Sequence, residues 1–173
     1  MLSIDPGLSG GIAVSLGDGM GIVSVYPMPN TEGEVMSLLK AIVEEGDANT
    51  TRAVIEDVGG YIGDAQPASS AFRFGRSVGF NLGVLSALGV RVELVRPQAW
   101  QKALGLGVSG RQRCRPGAGK EERKKIQLLN ARIKRDWKNK LKQKAQELFP
   151  GLPVTLKTCD SLLLLEYAKR TQQ

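Results

Sequence analysis

The residues in this sequence best suited to chemistry are three carboxylates in apolar surroundings. Asp5 follows Leu2-Ser3-Ile4, Glu56 follows Ala53-Val54-Ile55, and Asp160 stands just before the run Leu162 to Leu165. Such neighbours would bury each acid at least in part, and a buried carboxylate is costly unless it is paired or bound to a cation. Grouped carboxylates can hold two Mg²⁺ ions roughly 4 Å apart, one activating water and the other stabilising a leaving oxygen, as phosphodiester hydrolysis requires. Oxygen ligands with retained waters suit Mg²⁺, with Mn²⁺ as a substitute. Taken singly, each acid has a structural alternative. Asp5 can start a turn, Glu56 can be a satisfied strand-end acid, and Asp160 can favour a helix N-terminus through the macrodipole. The signal lies in the set and its order.

Histidine is absent. That excludes a Ser-His-Asp triad, a Cys–His pair and a His-ligated metal, so hydrolysis must come from carboxylates, lysines or hydroxyls. Cys114 and Cys159 are too few for a disulfide scaffold or a zinc site, and a reduced compartment is the default.

The elements that must position these acids follow from periodicity. Leu2–Asp5 forms a short strand ended by the turn Asp5-Pro6-Gly7, and Gly11–Leu16 forms a second. Gly17-Asp18-Gly19 is a hairpin turn into a third strand, Gly21–Tyr26. Thr31 and Glu34 form a capping box ahead of the helical stripe Val35, Leu38, Leu39, Ile42 and Val43. Ala53–Ile55 is a strand running into Glu56. A helix over Ser69–Leu88 closes at Gly89, and Val90–Val95 alternates as a fifth strand. Three antiparallel strands followed by strands alternating with helices predict an α/β fold, a mixed five-stranded sheet flanked by helices. Val108–Gly119 carries no apolar periodicity and is expected to be a mobile loop. Beyond it, Ile126, Leu129, Ile133, Trp137, Leu141, Ala145 and Leu148 define one buried stripe on a long helix, and a last helix spans Thr158 to about Arg170.

The chain of 173 residues carries a net charge of +7, unevenly spread. Between Arg111 and Lys144, fourteen lysines and arginines face only Glu121, Glu122 and Asp136, a net +11 that leaves −4 on the rest. Basic charge collected in one stretch is the footprint of a polyanion site, with a solvated helix face as the alternative. No apolar run approaches the ~20 residues of a membrane span. The start reads as a strand rather than a signal peptide; a cytoplasmic protein is expected, nucleoid-associated if the basic stretch holds DNA, or an organellar one if a transit peptide has been removed.

In combination, "LSIDPGLSGGIAV", "AVIEDV", "FGRSVGFNLGVLSALGVRVELVRPQAWQ" and "CDSLLLLEYAKR" resemble the RuvC-like Holliday-junction resolvases. The resemblance runs from Met1 to about Trp100 and resumes from about Leu141 to Arg170. It implies a single RNase H-like domain over 1–173, with a basic loop and helix inserted at about 105–140. It also implies a homodimer that nicks two opposed strands of a four-way DNA junction, and catalytic, metal-binding roles for Asp5, Glu56 and Asp160. On that reading Arg111, Arg113, Arg115, Lys120, Arg132, Lys134, Arg135 and Lys138 contact DNA. Tyr61 lies on a loop that the family places at the junction, where it can stack on an unpaired base or be an ordinary surface tyrosine. One departure stands out: where the family has an Asp or His shortly before the last Asp, this chain has Lys157, which can be an active-site cation or can point to solvent or hold the DNA backbone. Gly75, Gly79 and Gly83 give one helix face a smooth groove, for packing on the protein's own sheet or, as the resemblance implies, for a dimer seam.

A non-catalytic branched-DNA-binding protein on the same fold is the main competing function. An actin-like ATPase needs a second lobe with its own Asp-x-Gly motif, for which this sequence has no room.

Overall fold

The computed structural model describes residues 1–17, 21–57 and 68–171. Five strands, β1 (Leu2–Asp5), β2 (Gly11–Leu16), β3 (Ile22–Pro27), β4 (Arg52–Glu56) and β5 (Arg91–Val95), form one sheet in the order β3-β2-β1-β4-β5. β1–β2 and β2–β3 pair antiparallel, while β1–β4 and β4–β5 pair parallel, as the sequence predicts.

Strand alternation divides the core. Leu2, Ile4, Ile12, Val14, Ala53 and Ile55 pack with α1 (Glu32–Gly46) and α2 (Ala68–Ala87). Ala13, Val54 and Val95 pack with α3 (Pro97–Ala103), the C-terminal part of α4 (Lys120–Leu148) and α5 (Cys159–Thr171). The expected capping box starts α1: Glu34 N–H donates to Thr31 Oγ1 at 3.2 Å and Thr31 N–H to Glu34 Oε2 at 3.0 Å. Gly89, at φ +74°, ends the α2 turn in a conformation that favours glycine.

Leu162, Leu163, Leu164 and Leu165 are all buried. Four successive apolar residues cover every face of a helix, so α5 must lie inside the molecule, and each leucine contributes about 1.5–3 kcal/mol by leaving water. Ser3 Oγ–H donates to Ser161 O at 2.7 Å and pins the start of α5 to the central strand.

The long basic helix differs from the expected continuous buried stripe. At about 1.5 Å per residue its 29 residues span about 43 Å. Only Leu141 and Ala145 are fully buried, whereas Leu129 is 38% and Leu128 66% exposed. Periodicity shows which residues share a face but not whether anything lies opposite it, and no residue in the N-terminal half of α4 is fully buried. The loop before it is tied to the helix. Gln112 N–H donates to Asn130 Oδ1 at 2.9 Å, Asn130 Nδ2 to Gln112 O at 2.8 Å, and Arg115 grips Glu122 through two bonds at 3.0 and 3.1 Å.

The Gly75, Gly79 and Gly83 face does not pack on the protein's own sheet. A Cβ at any of the three would meet nothing within 4 Å. Gly79 and Gly83 line an apolar groove of about 490 Å³ with Met36, Phe80, Val84 and Leu88.

Candidate active site

Parallel register brings two of the acids together. Ile4 is paired with Ile55, so Asp5 and Glu56 follow as neighbours at the C-terminal ends of β1 and β4. Both point to the face covered by α5, because they lie two residues beyond Ser3 and Val54. A one-residue slip of β4 against β1 would turn the Glu56 carboxylate to the opposite layer, away from Asp5. Asp160, in the first turn of α5, completes the set. One ligand oxygen from each lies within 4.8 Å of the others, and all three residues are buried.

The turn after Asp5 is closed by glycine. A Cβ on Gly10 would fall 2.1 Å from Asp5 O, and one on Gly11 would meet Tyr26 O at 2.9 Å and Lys157 O at 3.1 Å. No other residue lets these backbones approach so closely around the acid.

Desolvation and mutual repulsion act on the cluster. Asp5 is raised to about 6, first by burial and then by Asp160, with Lys138 and a Gly7 backbone hydrogen bond opposing. Glu56 is raised to about 8 by burial and then by Asp5 and Asp160, against the pull of Trp100 and Lys138. The crowded, all-oxygen donor set fits a hard divalent cation. An ammonium already sits among them: Lys138, from α4, donates to Asp160 Oδ2. Burial works most strongly against its charge, but the charge and hydrogen bond of Asp160, with Asp5 and Cys159, together outweigh it and hold its pKa above the ordinary lysine value.

Two further donors reach these carboxylates. Trp100 Nε1–H donates to Glu56 Oε1 at 3.0 Å, and Cys159 Sγ lies 3.2 Å from Asp160 Oδ1. The Cys159 thiol is pushed up to about 12, by burial first and Asp160 next, and stays protonated as a donor.

Lys138, expected on DNA, therefore lies in the acid cluster. Its position was legible, because Lys138 precedes the buried Leu141 and Ala145 by three and seven residues and shares their helix face. Its place in a run of solvated charges masked that signal. Lys157, read from the sequence as an active-site cation or a solvent- or DNA-facing lysine, is exposed in the turn before α5, where its N–H donates to Thr155 Oγ1 at 3.2 Å. Arg111, Arg113, Arg115, Lys120, Arg132, Lys134 and Arg135 are exposed, with Arg132 and Arg135 beside Asp136. Tyr61 lies outside the described residues. Among the described residues, no helix is long and apolar enough to cross a membrane.

The raised acids predict a pH dependence. The folded chain holds protons on Asp5 and Glu56 more tightly than the unfolded chain, so these groups cost stability progressively as pH climbs from about 4 to about 8. A divalent cation replaces those protons and should stabilise the protein more at pH 8.5 than at pH 5.5. Thermal unfolding in EDTA and in Mg²⁺ at both pH values measures this. A metal-induced shift in Tm that does not grow with pH would count against the cluster as the cation site.

Neither a protein-family model nor a curated protein matches the chain. Among solved structures, T. thermophilus RuvC in complex with Holliday junction substrate is 16% identical, with a TM-score of 0.52 over 99% of this chain and 96% of that one. A second Thermus thermophilus RuvC structure is 17% identical, with a TM-score of 0.49 over 99% and 97%. At such identities the likeness is one of fold. The chain has the RNase H-like fold of RuvC, with three carboxylates gathered at the ends of its parallel strands.

Proposed function

We propose that this protein is a divalent-metal-dependent endonuclease that resolves four-way DNA junctions by paired, symmetric phosphodiester hydrolysis. The observation that carries the proposal is the convergence of Asp5, Glu56 and Asp160, buried, on a fold shared with a protein solved in complex with a Holliday junction. Such a cluster is costly in a protein that only binds DNA, because it places negative charge where phosphates must come.

The three acids would hold Mg²⁺, with Mn²⁺ as a substitute. The bound ions, two per site on this reading, would supply an activated water and offset charge on the phosphoryl oxygens. Lys138 reaches the same space and can stabilise charge developing on the scissile phosphate. Arg111, Arg113, Arg132, Lys134 and Arg135, exposed on the α4 arm and its loop, contact the DNA backbone. Lys157, exposed in the turn before α5, can add a further contact to the DNA backbone, and the reading extends to Tyr61 as a residue that can stack on an unpaired base.

Cutting two opposed strands takes two sites related by a two-fold axis, and the open Gly75, Gly79 and Gly83 face with its apolar groove suits a second copy of the chain. Gly79→Leu, which fills the groove without touching the protein's own core, should give monomers that bind junctions poorly. A wild-type chain that sediments as a monomer at micromolar concentration removes the dimer from this reading.

The deciding experiment is an end-labelled four-way junction incubated with Mg²⁺ or with EDTA. Symmetric paired nicks that require metal are the expected result. One observation favours the second reading, a non-catalytic branched-DNA binder: Lys138 already neutralises part of the cluster. Junction binding without cleavage at any Mg²⁺ or Mn²⁺ concentration would establish that reading instead.

A further inference from the structure

Glu56 is the acid with the longest side chain in the cluster, and without a partner its carboxylate would rotate among several rotamers. Trp100 supplies the partner. It is fully buried, and its Nε1–H donates to Glu56 Oε1 at 3.0 Å. The route from strand to helix is short. Val95 pairs with Glu56 in parallel register, Asp57 N–H donates to Val95 O at 2.8 Å, and Pro97 opens α3 immediately after Arg96. The indole lies in the buried core layer that also holds Val54, Val95, Leu104 and Leu141. An indole N–H donates and never accepts, so a ring held by packing aims one donor at one oxygen.

We propose that Trp100 is the positioning residue for Glu56, fixing the carboxylate so that it meets Asp5 and Asp160 as one divalent-cation site. The inference rests on reading the acid cluster as that site. It gives the buried aromatic residue of α3 a part beyond filling the core, because a carboxylate preset in orientation loses less freedom when it binds the ion.

Trp100→Phe keeps most of the ring volume and removes the N–H. Mn²⁺ binding to the DNA-free protein, followed by electron paramagnetic resonance, should weaken about tenfold, while junction binding in EDTA stays near wild type. A second measurement needs no change at Trp100. With Trp137→Phe, Trp100 is the only indole left, and its N–H resonance should move both on adding Mg²⁺ and on introducing Glu56→Gln. Wild-type Mn²⁺ affinity in Trp100→Phe, or an indole resonance that ignores both Mg²⁺ and Glu56→Gln, overturns the proposal. If Trp100→Phe fails to fold, the resonance decides alone. A wild-type protein that binds Mn²⁺ with this coupling and cuts no junction would refute the resolvase reading and leave the role of Trp100 standing. Absence of Mn²⁺ binding in the wild type would refute the cation site, and the role of Trp100 with it.

Discussion

Asp5→Asn, Glu56→Gln and Asp160→Asn should each lower junction cleavage by at least about 10³-fold, the scale on which single electrostatic groups in a dry active site act. Junction binding should be retained or tightened, because each change removes negative charge beside the phosphates. Single-turnover cleavage in Mg²⁺ and gel shifts in EDTA separate the two effects. The metal-free stabilities should diverge within the set. Asp5→Asn and Glu56→Gln remove buried charges that repel their neighbours, so Tm in EDTA at pH 8 should rise. Asp160→Asn strips Lys138 of its partner, and Tm should fall. A variant that cuts at the wild-type rate would mark its residue as structural.

Lys138→Met should have the next largest effect, with a signature opposite to that of a residue gripping the DNA backbone. Its ammonium sits on Asp160 inside the cluster, so removing it should cut the rate at saturating Mg²⁺ by about 10²-fold. At the same time, apparent Mg²⁺ affinity should rise, because a competing cation has left the carboxylates. Junction affinity should barely change. Neutralising Arg132, Lys134 and Arg135, which are exposed on the arm, should do the reverse. Binding to every DNA shape should weaken, and the log–log salt slope should flatten by roughly 0.9 for each phosphate no longer neutralised, while the rate of the bound complex is kept. If Lys138→Met instead flattens the salt slope and leaves the rate alone, Lys138 belongs with the arm and its pairing with Asp160 is a feature of the DNA-free protein.

Much of this protein was legible in its sequence, because much of it is local. Turn residues, strand alternation and the Thr31–Glu34 capping box act over a few positions, and they predict the strands, α1 and the glycine end of α2. The carboxylate set was legible for a related reason. An acid at the end of an apolar strand, or ahead of four leucines, is out of place unless something gathers it with others, and parity along the strand determines which layer it faces.

What only the tertiary structure decided are the partners that come from opposite elements. Lys138 and Lys157 are both lysines near Asp160 by one measure or another. Sequence distance favours Lys157, three residues away, yet the turn before α5 leaves it exposed. Lys138, 22 residues away, reaches Asp160 because α4 packs against α5. Trp100 meets Glu56 across 44 residues through the parallel pairing of β4 and β5. The apolar stripe of α4 ends half uncovered because periodicity assigns a face and never the surface opposite it. Local pattern thus determined the elements and the acids they carry. The pairing of distant elements, set by register and packing, determined which cation and which donor stand beside those acids.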